Sequence, residues 1–195
     1  MNEEELRFSA KPIPEIFQSY ATGTLFDRCI ECDRYLLDKE IPYFIEKAIK
    51  KYEGLRGYDV IFEYAICINC ADQMRQKMSL ESMQKIGQFL EKNMNQKRRN
   101  ELIEDFPDEP EKWIDECLIT GASREETAEY QIYAQCIYDR LLLPAMPYMI
   151  SHMVLDKLAN LLSDKTLGEM DDFIGRHFGP PSEFEVGPRK KIILV

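Results

Sequence analysis

Nine glycines in 195 residues leave little scope for loops whose bare backbone cradles a phosphate or a dinucleotide. No glycine-rich phosphate loop, G-x-S-x-G elbow or H-E-x-x-H helix occurs in the chain. Imidazole is scarce too: His152 and His177 are the two histidines, and no nucleophile motif accompanies either. Positive charge is short, with 25 Lys and Arg against 35 Asp and Glu and a formal net charge of −10. That balance speaks against a general nucleic-acid binder, which needs a cationic surplus to neutralise phosphates. The N-terminus, MNEEELRFSAKPIPEIF, lacks the basic start and apolar run of a secretory signal. The most apolar stretch, Leu141 to Leu155, is broken by Pro144, Pro147 and His152 and is too short to span a bilayer. These absences predict a soluble, cytoplasmic chain that does not enter a membrane.

Hydrophobic residues make up 45% of the chain and aromatics 11%, enough to build cores and too much for a disordered chain. The length suits one large domain or two small ones. Four of the six cysteines form two Cys-x-x-Cys pairs, Cys29 with Cys32 and Cys67 with Cys70, separated by 34 residues. In a reducing compartment such pairs favour metal ligation or free thiols over disulfides. A two-residue gap lets a tight turn aim both sulfurs at one ion, and two such turns close a tetrahedron, the pattern of a structural Zn²⁺ site. A redox pair is the alternative, and it needs a βαβ setting; another soft-ligand metal is a further one.

The residues between the pairs sharpen the reading. IPYFIEKAIKKY alternates Tyr43, Ile45, Lys47 and Ile49 with Phe44, Glu46 and Ala48, as a strand does. Gly54 and Gly57 mark a turn, and VIFEYAI forms a second strand running into Cys67. ADQMRQKM after Cys70 is helical, which puts the second pair at a helix N-terminus, where free N–H groups favour thiolates. In that order, residues 26–78 resemble the treble-clef class of four-cysteine zinc fingers. The resemblance implies one structural Zn²⁺ on Cys29, Cys32, Cys67 and Cys70. It is specific for a metal and unspecific for function, because treble clefs serve DNA, RNA, lipid and protein binding alike.

The chain also resembles itself. SLESMQKIGQFLEKN from Ser79 aligns with SDKTLGEMDDFIGRH from Ser163 at an offset of 84 residues, matching Ser82 with Thr166, Ile86 with Met170 and Phe89 with Phe173. The same offset pairs Tyr64 with Tyr148, and small gaps bring FDRCIEC onto IDECLIT and Tyr43 onto Tyr130. Two generic amphipathic helices are the alternative source of such matches. On this alignment the ligand positions become Cys117, Thr120, Ser151 and Val154, which leaves one sulfur and no metal.

The expected fold is therefore α+β. A treble-clef-like unit (zinc knuckle, β-hairpin, two helices) is duplicated in tandem, and the second copy lacks the metal ligands. The segments are an N-terminal arm at 1–22, ordered by Ile13, Ile16, Phe17 and Tyr20; the four-cysteine unit at 23–97; a solvated acidic linker at 98–112; the metal-free repeat at 113–180; and a C-terminal tail at 181–195. A capping box of Thr166 and Glu169 opens the last helix, and Gly179-Pro180-Pro181 ends it. Cys117 and Cys136 read as buried small hydrophobes, and Trp113 packs at the start of the second copy. Asp171 and Asp172 diverge by about 100° around a helix and so form no shared site. The apolar Ile192–Val195 is either an edge strand of the fold or a peptide that adds a strand to a partner. A closed metal site without a catalytic motif points to a non-enzymatic protein-interaction or adaptor module. Two alternatives stand beside it. One is a nucleic-acid-associated factor using Lys97–Arg99 and Arg189–Lys191, and the other is an enzyme with a cleft between the copies.

Overall fold

The computed structural model describes residues 10–38, 41–54, 57–143 and 146–179. The first described element is β1 (Ala10–Pro12), and a hairpin of β2 (Tyr43–Lys51) and β3 (Tyr58–Cys67) comes after it. Three helices follow, α1 (Ile68–Lys77), α2 (Leu80–Asn93) and α3 (Gln96–Asp105). The second half contains β4 (Glu129–Ile137), β5 (Arg140–Leu142), β6 (Tyr148–Ser151), α4 (His152–Ala159) and α5 (Asp164–Phe178). Among the described residues the strands form one six-stranded antiparallel sheet in the order β1-β5-β4-β2-β3, with β6 also pairing β4. Among the described residues no helix is long and apolar enough to cross a membrane.

The alternation in YFIEKAIKK places successive side chains on opposite faces of β2, and Tyr43 through Ile49 are all buried. Both faces are therefore covered. On the Phe44–Glu46 face lies α5, with Phe173 5.3 Å from the Tyr64 ring and Phe178 5.5 Å from Phe62. The N-terminal segment covers the other face, burying Ile13 and Phe17. Each fully buried side chain of this size contributes about 1.5–3 kcal/mol through removal from water. Tyr20 departs from the expected arm core: it is 59% exposed and lies 5.7 Å from Tyr58.

A buried ion pair anchors that arm. Lys47 Nζ lies 3.0 Å from Glu63 Oε2 and donates to the Gln18 carbonyl at 2.6 Å. Glu63 also accepts from the Tyr20 N–H at 2.8 Å and the Ser19 hydroxyl at 3.0 Å. Burial alone raises the Glu63 carboxyl, but the Tyr20 N–H and the Lys47 ammonium outweigh it and hold the group below its ordinary value. A carboxyl depressed on folding stabilises the protein above its unfolded value and loses that contribution as pH falls through the folded one. Glu63→Gln is expected to cost about 3 kcal/mol at neutral pH, because Lys47 stays buried without its counter-charge. It should also flatten the acid limb of the stability–pH curve. Urea unfolding across pH 3–7 reads both effects, and an unchanged acid limb would exclude Glu63 as its source.

The two halves share the sheet through β2 and β4, which pair from Tyr43↔Cys136 to Lys50↔Glu129 with Glu46 opposite Tyr133. Helices α2 and α5 meet at their starts. Ser79 caps α2 by accepting from the Ser82 N–H at 3.1 Å, and Ser163 caps α5 by accepting from the Thr166 N–H at 3.3 Å. Helix α5 thus begins three residues before the expected Thr166–Glu169 capping box, and Thr166 is a buried residue of its first turn. The Ser79 N–H donates to Thr166 Oγ1 at 3.0 Å, and the Ser163 N–H donates to Ser82 Oγ at 2.9 Å. Each helix start therefore satisfies an otherwise orphaned donor of the other.

The acidic segment expected as a solvated connector is mostly exposed and carries helix α3. Asn95 caps α3 by accepting from the Arg98 N–H at 3.0 Å, and Leu102 buries one side of the helix. A 3₁₀ turn over Pro110–Ile114 then buries Trp113, whose Nε1–H donates to the Phe106 carbonyl at 2.9 Å. Gly179 ends α5 with φ 74° and ψ 177°, a backbone region essentially reserved for glycine; residues 180–195, including Pro180, Pro181 and the Ile192–Val195 tail, lie outside the described residues.

Candidate metal centre

Cys29 and Cys32 lie on a tight turn closed by bonds from the Cys29 N–H to the Arg34 carbonyl and from the Asp33 N–H to the Cys29 carbonyl, both 2.9 Å. Asp33 takes the left-handed conformation the turn needs, with φ 55°. Cys67 ends β3 and serves as the N-cap residue of α1, and Cys70 sits in the first turn of that helix. The hairpin thus carries the second pair to the first, and the Cys67 N–H donates to Cys29 Sγ at 3.3 Å.

All four sulfurs lie within 4.8 Å of one another, and Cys32 and Cys67 are 3.9 Å apart. A tetrahedral ion with Zn–S bonds of about 2.3 Å would set sulfurs about 3.8 Å apart, so the cluster fits a metal with small adjustment. Cys29 and Cys67 are buried and Cys32 is exposed. Burial pushes the Cys29 and Cys70 thiols up. Cys32 moves the other way, because the Arg34 N–H and the neighbouring thiols outweigh its desolvation. Thiolates this close repel one another, and a divalent cation removes that penalty while the α1 N-terminus adds its positive end. The sequence-level quartet is brought together, so the cluster is consistent with a zinc-binding site.

Glu31, between the first two cysteines, ties the knuckle to the other half of the chain. Its carboxylate accepts from Arg176 at 2.7 Å and contacts His177 Nε2 at 3.1 Å, both at the end of α5. Burial raises Glu31, but these two partners outweigh it and hold it below its ordinary value. His177 thus sits where a helix C-terminus favours positive charge.

The other candidates are dispersed. Cys117 is buried and accepts from the Ser151 N–H at 3.4 Å, and Val154 is fully buried. The Cys117 turn repeats the Cys29 turn: its N–H donates to the Ala122 carbonyl and the Gly121 N–H donates to its carbonyl, both at 2.8 Å. Gly121, at φ 69°, takes the conformation of Asp33. Cys136 is buried in β4. His152 Nδ1 lies 3.1 Å from the Glu129 carbonyl at the start of α4. Asp171 and Asp172 are solvent-exposed on α5. In the Lys97–Arg99 cluster, Lys97 lies 3.7 Å from Glu101, and Arg98 lies 3.8 Å from Glu116.

Sequence reasoning missed one feature. The sequence pattern gives Glu46 only a place in an alternating strand, yet it is fully buried and accepts from the Tyr64 hydroxyl at 2.7 Å. Burial first, and then the Glu46 charge, push the Tyr64 and Tyr133 hydroxyls well up. The available signal was the tyrosine in each of the strands that meet around it, since tyrosine brings a polar tip into a core.

Comparison of the chain with protein-family models, curated proteins and solved structures gives no match.

Proposed function

We propose that this chain is a non-enzymatic protein-interaction module, stabilised by one zinc ion and built from two copies of a treble-clef-like unit. The observation that carries the reading is the sulfur quartet within 4.8 Å, drawn from two turns and closed on all four sides by cysteine. Such a site leaves no position for substrate or activated water and supplies folding energy instead. Duplication is supported by the recurrence of the knuckle bonds 88 residues on, from Cys29 to Cys117, and by the meeting of the Ser79 and Ser163 caps. On this alignment Ser151 and the packed Val154 stand where the first copy has Cys67 and Cys70.

An adaptor role follows from what surrounds the site. Both histidines have structural partners, His152 at the Glu129 carbonyl and His177 at Glu31. The acidic surface of a −10 chain suits a basic protein partner. The nucleic-acid alternative is weakened by the contacts of Lys97 and Arg98 with Glu101 and Glu116. The test compares zinc-loaded and metal-stripped chain as bait for protein partners, alongside low-salt titrations with DNA and RNA. A partner held only by the zinc-loaded form supports the reading. Nucleic-acid binding with a steep salt dependence, or turnover of any substrate, overturns it.

A further inference from the structure

The sheet ends differently on its two sides. Beyond β4 the edge at β5 is closed by β1, where Ala10–Pro12 pairs with Leu142–Arg140. At the other side β3 pairs with β2 alone among the described residues. The inner end of that outer edge is used by the knuckle, whose Ile30 N–H donates to the Ala65 carbonyl at 2.9 Å. From Tyr58 to Ile61 no strand lies beside it among the described residues, and Tyr58 is 44% exposed. A long strand with an open edge invites indiscriminate pairing, and folded proteins cover or blunt such edges. The bulge opposite Ala48 and Ile49 blunts this one only in part.

We propose that the C-terminal segment Lys190–Val195 of this same chain docks along the open edge of β3 and closes the sheet. Helix α5 delivers the chain there: it ends at Phe178, whose ring lies 5.5 Å from Phe62 and 6.0 Å from Tyr64. The residues from Pro180 to Arg189 reach roughly 33 Å when extended, as far as the whole of β3 runs. Ile192, Ile193, Leu194 and Val195 are strand-forming residues with apolar side chains to bury. Charge agrees as well, since Arg189, Lys190 and Lys191 precede the apolar residues while Glu53 and Asp59 are exposed at the open end of the hairpin. On the opposite side of the sheet, β1 already shows a terminal segment closing an edge.

Amide hydrogen exchange on the zinc-loaded full chain tests this, beside a chain ending at Gly187 and the full-length Ile193→Asp variant. The outward-facing amides between Tyr58 and Ile61 should exchange at least about tenfold faster in both variants, while those of Ile132 and Ala134 in β4 keep their protection. Light scattering should give a monomer mass throughout. Equal exchange in all three proteins overturns the proposal. So does protection that appears only at concentrations where the mass doubles, because a second copy would then be the occupant.

Discussion

Replacing Cys70 with serine is expected to empty the metal centre and unfold the protein as a whole. Wild-type chain purified without added metal should carry one zinc, held by the four sulfurs that lie within 4.8 Å. Structural zinc contributes an apparent 10–16 kcal/mol or so in small metal-folded units, comparable to or larger than the roughly 5–15 kcal/mol of net stability of an ordinary domain. A hydroxyl is a poor substitute for thiolate, and the three remaining thiols cannot close the tetrahedron. Loss of the metal reaches beyond its own half because Cys67 terminates β3, β3 pairs β2, and β2 pairs β4 along eight residue pairs. Trp113, the sole tryptophan, is buried in the other half and reports that spread by fluorescence. The expected result is one transition, with zinc and the native Trp113 emission lost together. A metal-free wild type with titratable thiols would bring redox chemistry forward, and a Cys70→Ser chain that keeps its zinc would remove Cys70 from the ligand set.

The proposed duplication makes a second demand, of opposite sign. The triple substitution Thr120→Cys, Ser151→Cys and Val154→Cys should create a second zinc site with Cys117 and raise the metal content from one to two per chain. The backbone is already placed for it: the Ser151 N–H lies 3.4 Å from Cys117 Sγ, as the Cys67 N–H lies 3.3 Å from Cys29 Sγ. The two turns share their closing bonds, and Ser151 precedes α4 as Cys67 precedes α1. Without metal the triple variant should be less stable than wild type by about 1–3 kcal/mol, because a fully buried valine and its packing are lost. Added zinc should recover that loss. Elemental analysis and thermal unfolding with and without zinc decide it, and a content that stays at one means the two turns do not share a ligand geometry.

The metal quartet and the hairpin were legible because their determinants are local. A two-residue gap between cysteines, strict alternation in YFIEKAIKK and a β-branched run into Cys67 each act over a few residues. The helix at 164–178 was legible by its periodicity, but its start was not. The Thr166–Glu169 pattern reads as the capping box, yet Ser163 is the cap, and Thr166 Oγ1 accepts instead from the Ser79 N–H across the molecule. The acidic 98–112 segment is mostly exposed, as its charge requires, and Leu102 is the residue of its helix that turns inward.

Residue order and type alone specified two closely spaced pairs of thiols and two strands with a turn between them. Those features come from short-range sterics and ligand chemistry, which act without knowledge of the rest of the chain. Tertiary structure alone decided that β2 and β4 would join into one sheet, that Glu46 would be buried beneath Tyr64, and that Glu31 would grip the end of α5. Each of these joins residues that are distant in sequence. Burial removes water as the competing partner, so the pairing goes to whichever polar group the packing brings near.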